Sequence, residues 1–304
     1  MSTVTARRTS PFAPDLAEAV RSALAAPSWR PPLLPAVALE VLQLTRSPDV
    51  QLSDVVSLLE RDPVLAGRVL GIAGSAQYSR RSPVVSLRQA AVRLGLEALS
   101  QVVVQAALEL RVFQAPDHKP FAKRLNRHAA AIAGLTRAIC KCASAPSEHA
   151  FVAGLVHDVG FAACLQVVAD VPRFRAVPLE ELAPVLDALH TEASGRLVGA
   201  WKLPDAIRAV ASTHHDAAPG GHPSQVNAAV VLAHQLAWEA GAGLLPPPPE
   251  ASAGATKMLA QPEGGLDCGA RQTVEQAIEV LGLEDEDVLA LRAEAFELVE
   301  ALPG

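Results

Sequence analysis

Apolar residues recur with helical spacing along most of the chain. After Pro48, apolar side chains fall at positions i, i+3, i+4 and i+7, namely Leu52, Val55, Val56 and Leu59. This spacing lines one face of a helix. No run alternates strictly between apolar and polar residues, and the β-branched run at 102–104 lies inside a long apolar stretch from Leu94 to Val112. The pattern therefore predicts an all-α protein built as a bundle of helices.

Start signals mark several of these helices. Asp62-Pro63 places an N-cap carboxylate before a proline at the first helical position. Ser86 and Gln89 have the spacing of a capping box in front of another apolar stripe. The buried positions predicted from these stripes and from the later helices are Leu65, Val69, Ile72, Leu94 and Leu155.

The remaining periodic stretches predict further helices over 120–143, 147–168, 179–200, 204–215, 224–240, 274–281 and 287–301. Four consecutive prolines, Pro246 to Pro249, and several glycines interrupt the pattern between 241 and 270, which predicts a mobile surface loop there. The chain is accordingly divided into an N-terminal segment (1–29), a main domain (30–240), this loop (241–270) and C-terminal helices (271–304).

Composition and charge exclude several classes of protein. The net charge of −6 and pI near 5.9 give little support to nucleic-acid binding, since Arg80-Arg81 is the only basic pair in the exposed turn predicted at 74–83. No run of about 18 uncharged apolar residues predicts a membrane span. The four cysteines lack zinc-site or disulfide-framework spacing, which indicates reduced thiols and a cytoplasmic protein. They are Cys140, Cys142, Cys164 and Cys268.

Histidines and one aspartate supply the candidate chemistry. His157 and Asp158 are adjacent, about 100° apart on a helix, so other helices have to supply the remaining ligands of any cation that both contact. The candidate metal ligands are His128, His157, Asp158, His190, His214 and His215. Such a set binds one or two divalent ions, with iron, manganese, zinc and magnesium as candidates. The alternative is that His128 and His157 are hydrogen-bonded core residues and that His214 and His215 lie at a helix end.

An ordered series of short motifs resembles the HDOD family, the output-type relatives of HD-domain phosphohydrolases, over roughly residues 30 to 240. The motifs are Leu34-Pro35, Asp62 to Leu65, Gly74 to Tyr78, Ser86 to Ala90 with Leu94-Gly95, Gly154 to Gly160 and Trp201 to Pro204. The resemblance implies an HD-like helical bundle and a bacterial signalling protein that usually lacks demonstrated catalysis. It also implies that His128 matches the first histidine of the HD series.

Within the resemblance, His190 and the pair His214-His215 match second-metal positions of the cyclic-di-GMP phosphodiesterase branch. Two positions depart from the enzymes: Phe161 stands where that branch carries a phosphate-facing lysine, and His234 stands where the series closes with an aspartate. The segment after His215 also departs from the enzymes' pattern.

These departures predict a non-catalytic regulatory module with a degenerate site, no catalytic residue and no required cofactor, acting through contact with a signalling protein. A small nucleotide is a further candidate ligand. The alternative is a metal-dependent phosphodiesterase acting on a cyclic dinucleotide or a nucleotide. His234 and Phe161 both favour the non-catalytic module.

Overall fold

The computed structural model describes residues 13–302 except 46, 76–77, 79–83, 147, 176 and 245–270. The described residues form α-helices, three short 3-10 turns and no β-strand, which confirms the predicted all-α class. The α-helices are α1 (Ala13–Ala25), α2 (Ala36–Leu44), α3 (Leu52–Leu59), α4 (Pro63–Ala73), α5 (Leu87–Arg111), α6 (Lys119–Cys142), α7 (Ala150–Val156), α8 (Val159–Asp170), α9 (Leu179–Ala200), α10 (Asp205–Thr213), α11 (Gln225–Glu239), α12 (Arg271–Leu281) and α13 (Asp285–Ala301).

The helices pack in two groups joined by α5. In the first group, helices α2, α3 and α4 pack against α5, which also contacts α7. Helices α6 to α11 form the second group, with α6 against α7 and α11 and with α8 against α9. Helix α1 packs on α8 and α9, and α12 and α13 cover α11 and α6. Helices therefore enclose the interior of the second group from several sides.

Two helix starts follow the predicted local chemistry. Asp62 Oδ1 accepts a hydrogen bond from the backbone N–H of Leu65 at 3.0 Å, and Pro63 occupies the first turn of α4. At α5, Ser86 Oγ accepts from the N–H of Gln89 at 3.2 Å, while the Gln89 side chain accepts from the N–H of Val85. The N–H groups of Leu65 and Gln89 lie in first helical turns, which leave them without a partner inside the helix, whereas the N–H of Val85 precedes α5.

Helix α5 is interrupted at Gly95, whose φ of 73° lies in the left-handed region that glycine adopts without steric strain. The chain changes direction there. Leu65, Val69, Ile72 and Leu155 are buried as predicted, but Leu94, directly before the interruption, is only half-buried. The prediction for Leu94 assumed a continuous helical stripe, and the turn at Gly95 breaks that stripe.

The N-terminal segment contains a helix that the periodicity analysis did not predict. Leu16, Val20 and Leu24 of α1 are buried, and this helix contacts α8 and α9. The predicted irregular loop at 241–270 lies outside the described residues apart from 241–244. The turn predicted at 74–83 is likewise described only at residues 74, 75 and 78.

Two stretches of the described chain, Leu87–Arg111 and Ala150–Asp170, are long and apolar enough to cross a membrane by length and composition. However, 61% and 94% of their apolar windows are buried inside the protein. Burial of this extent is what core helices show.

Truncating Leu155 to alanine is expected to lower the free energy of unfolding by about 2 to 5 kcal/mol, because this side chain in α7 is fully buried. Leu289→Ala is the matched control, since Leu289 is 64% exposed and its truncation is expected to change stability by less than about 0.5 kcal/mol. Denaturant unfolding followed by circular dichroism measures both values. Equal effects of the two substitutions would contradict the packing of α7.

Candidate metal centre

His157 and Asp158 lie at the junction between α7 and α8. The sequence predicted one helix over 147–168, but Asp158 leaves helical geometry with φ −103° and ψ 11°, and α8 begins at Val159. The junction is held by Ser194 of α9, whose Oγ accepts a hydrogen bond from the Gly160 N–H at 2.8 Å. The interruption explains how two adjacent side chains reach one centre.

The first ligand group consists of His128, His157, Asp158 and His234, which α6, the α7–α8 junction and α11 supply. One donor atom from each of these residues lies within 4.8 Å of the others. Asp158 Oδ2 is 3.1 Å from His157 Nε2 and 3.5 Å from His128 Nε2. The His234 ring centre is 4.7 Å from that of His157 and 5.0 Å from that of His128.

The second ligand group consists of His190 on α9 and of His214 and His215, which directly follow α10. His190 Nε2 is 3.2 Å from His214 Nε2 and 2.9 Å from His215 Nε2. His190 and His214 are buried, and His215 is half-buried. Three imidazole nitrogens therefore face one another over a short distance.

Asp158 joins the two ligand groups. Its Oδ2 faces the first group, while its Oδ1 is 3.1 Å from His214 Nε2 and 3.4 Å from His190 Nε2 of the second group. Asp158 Oδ1 and His157 Nε2 are buried, and their close contacts do not have the orientation of a well-formed hydrogen bond. Buried polar atoms that are close together but not oriented for hydrogen bonding are typical of ligand atoms that converge on one cation.

Backbone carbonyls orient four of the imidazoles. The Nδ1 atoms of His128, His157, His190 and His214 lie 2.5 to 3.2 Å from the carbonyl oxygens of Ala242, Gly154, Asp187 and Ala211, respectively. A carbonyl only accepts hydrogen bonds, so each Nδ1 carries the proton and donates it. In the neutral imidazole, Nε2 then presents its lone pair to the centre, which is the tautomer that ligates a metal.

The electrostatics of the centre also favour a cation. Burial lowers the pKa of His157 to about 4 and lowers the pKa of His214 well below its usual value. Burial alone would raise the pKa of Asp158, but the His157 imidazole and polar contacts with His128 and His214 hold it well below its usual value. At neutral pH the centre thus offers the ionised carboxylate of Asp158 and the neutral imidazoles of His157 and His214, which are the protonation states that bind a cation.

The structure brings together all six residues that the sequence nominated as ligands, from helices α6 and α9, the α7–α8 junction and the end of α10. Metal binding by them stays a prediction. The alternative of surface residues at a helix end does not describe His214, which is fully buried. His234 was treated in the sequence as the loss of an aspartate, yet it lies in the first ligand group. The signal for it was available, because a neutral imidazole is itself a good ligand for zinc or iron.

Phe161 lies beside the centre rather than in an unrelated part of the core. Its ring stacks on the His190 imidazole with 4.4 Å between ring centres and an interplanar angle of 15°, and it contacts Phe121 edge to face. The side chain is buried. An aromatic ring therefore supports one ligand of the second group at the position where the resemblance places a lysine in the enzymes.

Comparison with known families identifies the chain. The model of the HDOD domain matches residues 32–217, more than half of the sequence, and the chain therefore belongs to the HDOD domain family. The matched region contains His128, His157, Asp158, His190, His214 and His215. It ends before His234 and before Ala242, whose carbonyl orients His128. The candidate metal centre thus uses residues inside the matched region and residues beyond its C-terminal end.

Solved structures share the fold across nearly the whole chain. A presumed metal-dependent phosphohydrolase from Shewanella amazonensis SB2B is 19% identical with a TM-score of 0.67, and the match covers 94% of this chain and 97% of that one. An HDOD domain protein of unknown function from Geobacter sulfurreducens is 21% identical with a TM-score of 0.60, covering 94% and 98% of the two chains. Identities this low establish the fold alone.

An uncharacterized protein from Treponema pallidum (strain Nichols) is 26% identical over 195 residues. The match covers 61% of this chain but only 37% of that protein. The chain therefore spans little more than a third of the length of this relative.

Proposed function

We propose that the protein is a metal-binding signalling module without phosphohydrolase activity, which acts through contact with another signalling protein. The convergence of the two ligand groups on Asp158 carries the metal-binding part of the proposal. Membership of the HDOD family supports the assignment to an HD-related module. The prediction of a degenerate site depended on His234, which lies in the first ligand group and can itself serve as a ligand.

The chemistry of the ligands selects among metals. Six imidazoles and one carboxylate make a nitrogen-rich set, which suits zinc and iron, whereas magnesium prefers oxygen ligands and retained waters. His128, His157, Asp158 and His234 would hold one ion, and His190, His214 and His215 would hold a second with the other oxygen of Asp158. Such ions would supply positive charge to the buried carboxylate and Lewis acidity toward any oxygen that reached them.

Two features of the centre support a role without catalysis. Phe161 offers an aromatic ring where a phosphate-facing cation is expected, and losing one such contact typically removes a hundred- to thousandfold in rate, or about 2.7 to 4 kcal/mol. In addition, His157 and His214 are fully buried and Asp158 is nearly so. These three ligands are closed off from solvent, whereas His215 and His234 are half-buried, so the access of a phosphodiester to the centre is restricted. A metal ion bound by these ligands would instead connect helices from different parts of the chain.

A metal-dependent phosphohydrolase is the second candidate function, and the position of His234 within the first ligand group is the observation that favours it. His234 provides a ligand where an aspartate is expected, so its presence no longer argues against a bound ion. The choice between the two functions then depends on substrate access and on Phe161. Turnover distinguishes them directly.

We expect that the protein does not hydrolyse cyclic di-GMP, a mononucleotide or a generic phosphodiester. The protein is assayed after loading with iron(II), manganese, zinc or magnesium. The Asp158→Asn variant serves as the baseline, since it lacks the carboxylate shared by both ligand groups. Rates of the wild type and this variant are expected to be equal. Metal-dependent turnover by the wild type that disappears in Asp158→Asn would overturn the proposal and establish the phosphohydrolase.

We also place the protein in the cytoplasm, because its described cysteines are free thiols. Burial raises the pKa of Cys140 to about 11 and that of Cys164 to about 12. Both remain protonated at neutral pH and are poor nucleophiles for disulfide exchange. This pattern suits a reducing compartment.

A further inference from the structure

Helix α13 has an apolar face on each side. On its inner side, Leu291, Ala295 and Val299 are buried against the bundle. On its outer side, Leu289 is 64% exposed and Phe296 is 51% exposed. These two residues are seven positions apart, and the exposed Ala293 lies between them, so the three form one stripe along two helical turns. We call Leu289, Ala293 and Phe296 the outer stripe.

The outer stripe is flanked by carboxylates. Glu286, Glu297 and Glu300 are exposed and lie on the same side of α13, within about 80° of the stripe at 100° per residue. The one basic residue of α13, Arg292, is half-buried and lies on the other flank of the stripe, where its Nε pairs with Glu239 of α11 at 2.6 Å. The outer surface of this helix is therefore both apolar and acidic.

The same part of the chain carries the whole net charge of the protein. Residues 271–304 contain nine aspartates and glutamates and two arginines, a net charge of −7, whereas the complete chain has −6. The other 270 residues together are close to neutral. The negative field of the molecule is thus concentrated on its C-terminal helices, where it directs a cationic partner to the outer stripe.

Contacts on the inner side connect α13 to the metal centre. Arg127, next to His128 in α6, donates hydrogen bonds to the carbonyls of Val299 in α13 and of Gly241. The following carbonyl, that of Ala242, accepts the Nδ1 proton of His128. Helix α13 is also in contact with α6 at Gly134, where an added Cβ would meet the Leu298 side chain at 2.5 Å. A partner on α13 would therefore bind close to elements that position a candidate ligand.

From this arrangement we infer that the outer stripe of α13 binds a basic amphipathic helix of a partner protein. Apolar residues of that helix at i, i+3 or i+4, and i+7 would cover Leu289 and Phe296, and its flanking lysines or arginines would face Glu286, Glu297 and Glu300. A second copy of this chain is a poor occupant, because two acidic faces repel each other. Nucleic acids and anionic membranes are repelled for the same reason. The inference names a partner class for the protein contact in the proposed function.

A synthetic 18-residue amphipathic helix provides the probe, with leucines on one face, lysines beside them and a fluorophore at one end. Fluorescence anisotropy with the full-length protein is expected to show binding that weakens as salt increases. Phe296→Ala is expected to weaken binding at least tenfold, since aromatic anchors dominate such contacts. Val92→Ala, at an exposed apolar residue on α5, is the matched control and is expected to bind like the wild type.

Three further results complete the test. A peptide of the same composition with scrambled leucines is expected to bind at least tenfold more weakly, and Glu286→Gln combined with Glu297→Gln and Glu300→Gln is expected to reduce the salt dependence. Equal affinity for wild type and Phe296→Ala would overturn the proposal. So would a dimer, detected by light scattering, that dissociates in Phe296→Ala, because a second copy would then cover the stripe. The binding assay uses metal-free protein as well as loaded protein, so its failure would leave the metal assignment intact.

Discussion

Asp158→Asn is expected to abolish stable binding of zinc or iron(II) and to remove the stabilisation that these ions give the wild type. Asp158 is the only carboxylate in the two ligand groups and presents one oxygen to each. A ligand that binds only the folded state at 100 to 1,000 times its Kd adds about 2.7 to 4.1 kcal/mol to the free energy of unfolding. Metal analysis and thermal unfolding with and without chelator measure the two effects.

The effect of the substitution without metal has its own sign. The pKa of Asp158 lies well below its usual value, so at neutral pH the contacts of the ionised carboxylate stabilise the folded protein, and Asp158→Asn loses them. The variant is therefore expected to be less stable than the wild type in chelator as well, and added metal is expected to widen the difference. Asp205→Asn is the control, because Asp205 is exposed and pairs with Arg208 at the surface, so its substitution should change neither metal content nor the chelator effect. Stoichiometric metal in Asp158→Asn would contradict the assignment.

Local chemistry explains why much of the fold could be predicted from the sequence. Asp62 and Ser86 begin helices because the backbone donors that they satisfy lie three residues away along the chain. The helix over 179–200 has the predicted ends in the structure. Such signals require no knowledge of distant neighbours. The sequence analysis missed α1 although its signals were available, because Asp15 lies in the first turn and Leu16, Val20 and Leu24 follow at helical spacing.

Features that depend on packing between helices could not be predicted in this way. The interruption at Asp158 involves contacts with α9, more than thirty residues away, so a helix pattern over 147–168 does not reveal it. His234 was judged by the residue type expected at its position, whereas its contribution depends on distances to His128 and His157. The six nominated ligands were found because their order along the chain matched the series that the family resemblance supplies.

Gly160→Ala is expected to destabilise the protein by about 4 kcal/mol or more, or to prevent recovery of folded protein. A Cβ at this position would lie 1.9 Å from the His190 carbonyl oxygen and 2.6 Å from the Ser194 nitrogen. Both are backbone atoms of α9, so relief of the overlap requires separation of α8 and α9. Because His190 is a member of the second ligand group, the same displacement would also move a candidate metal ligand.

Gly67→Ala is the matched control for this substitution. Gly67 lies in the interior of α4, is exposed and has no neighbouring atom within 4 Å of an added Cβ. Alanine there is expected to stabilise the protein by about 0.4 to 1 kcal/mol, because it restricts the unfolded chain without a clash in the folded one. Denaturant unfolding compares the two variants with the wild type. A Gly160→Ala protein within about 0.5 kcal/mol of the wild type would show that α8 and α9 do not approach as closely as described, and that the junction carrying Asp158 tolerates a side chain.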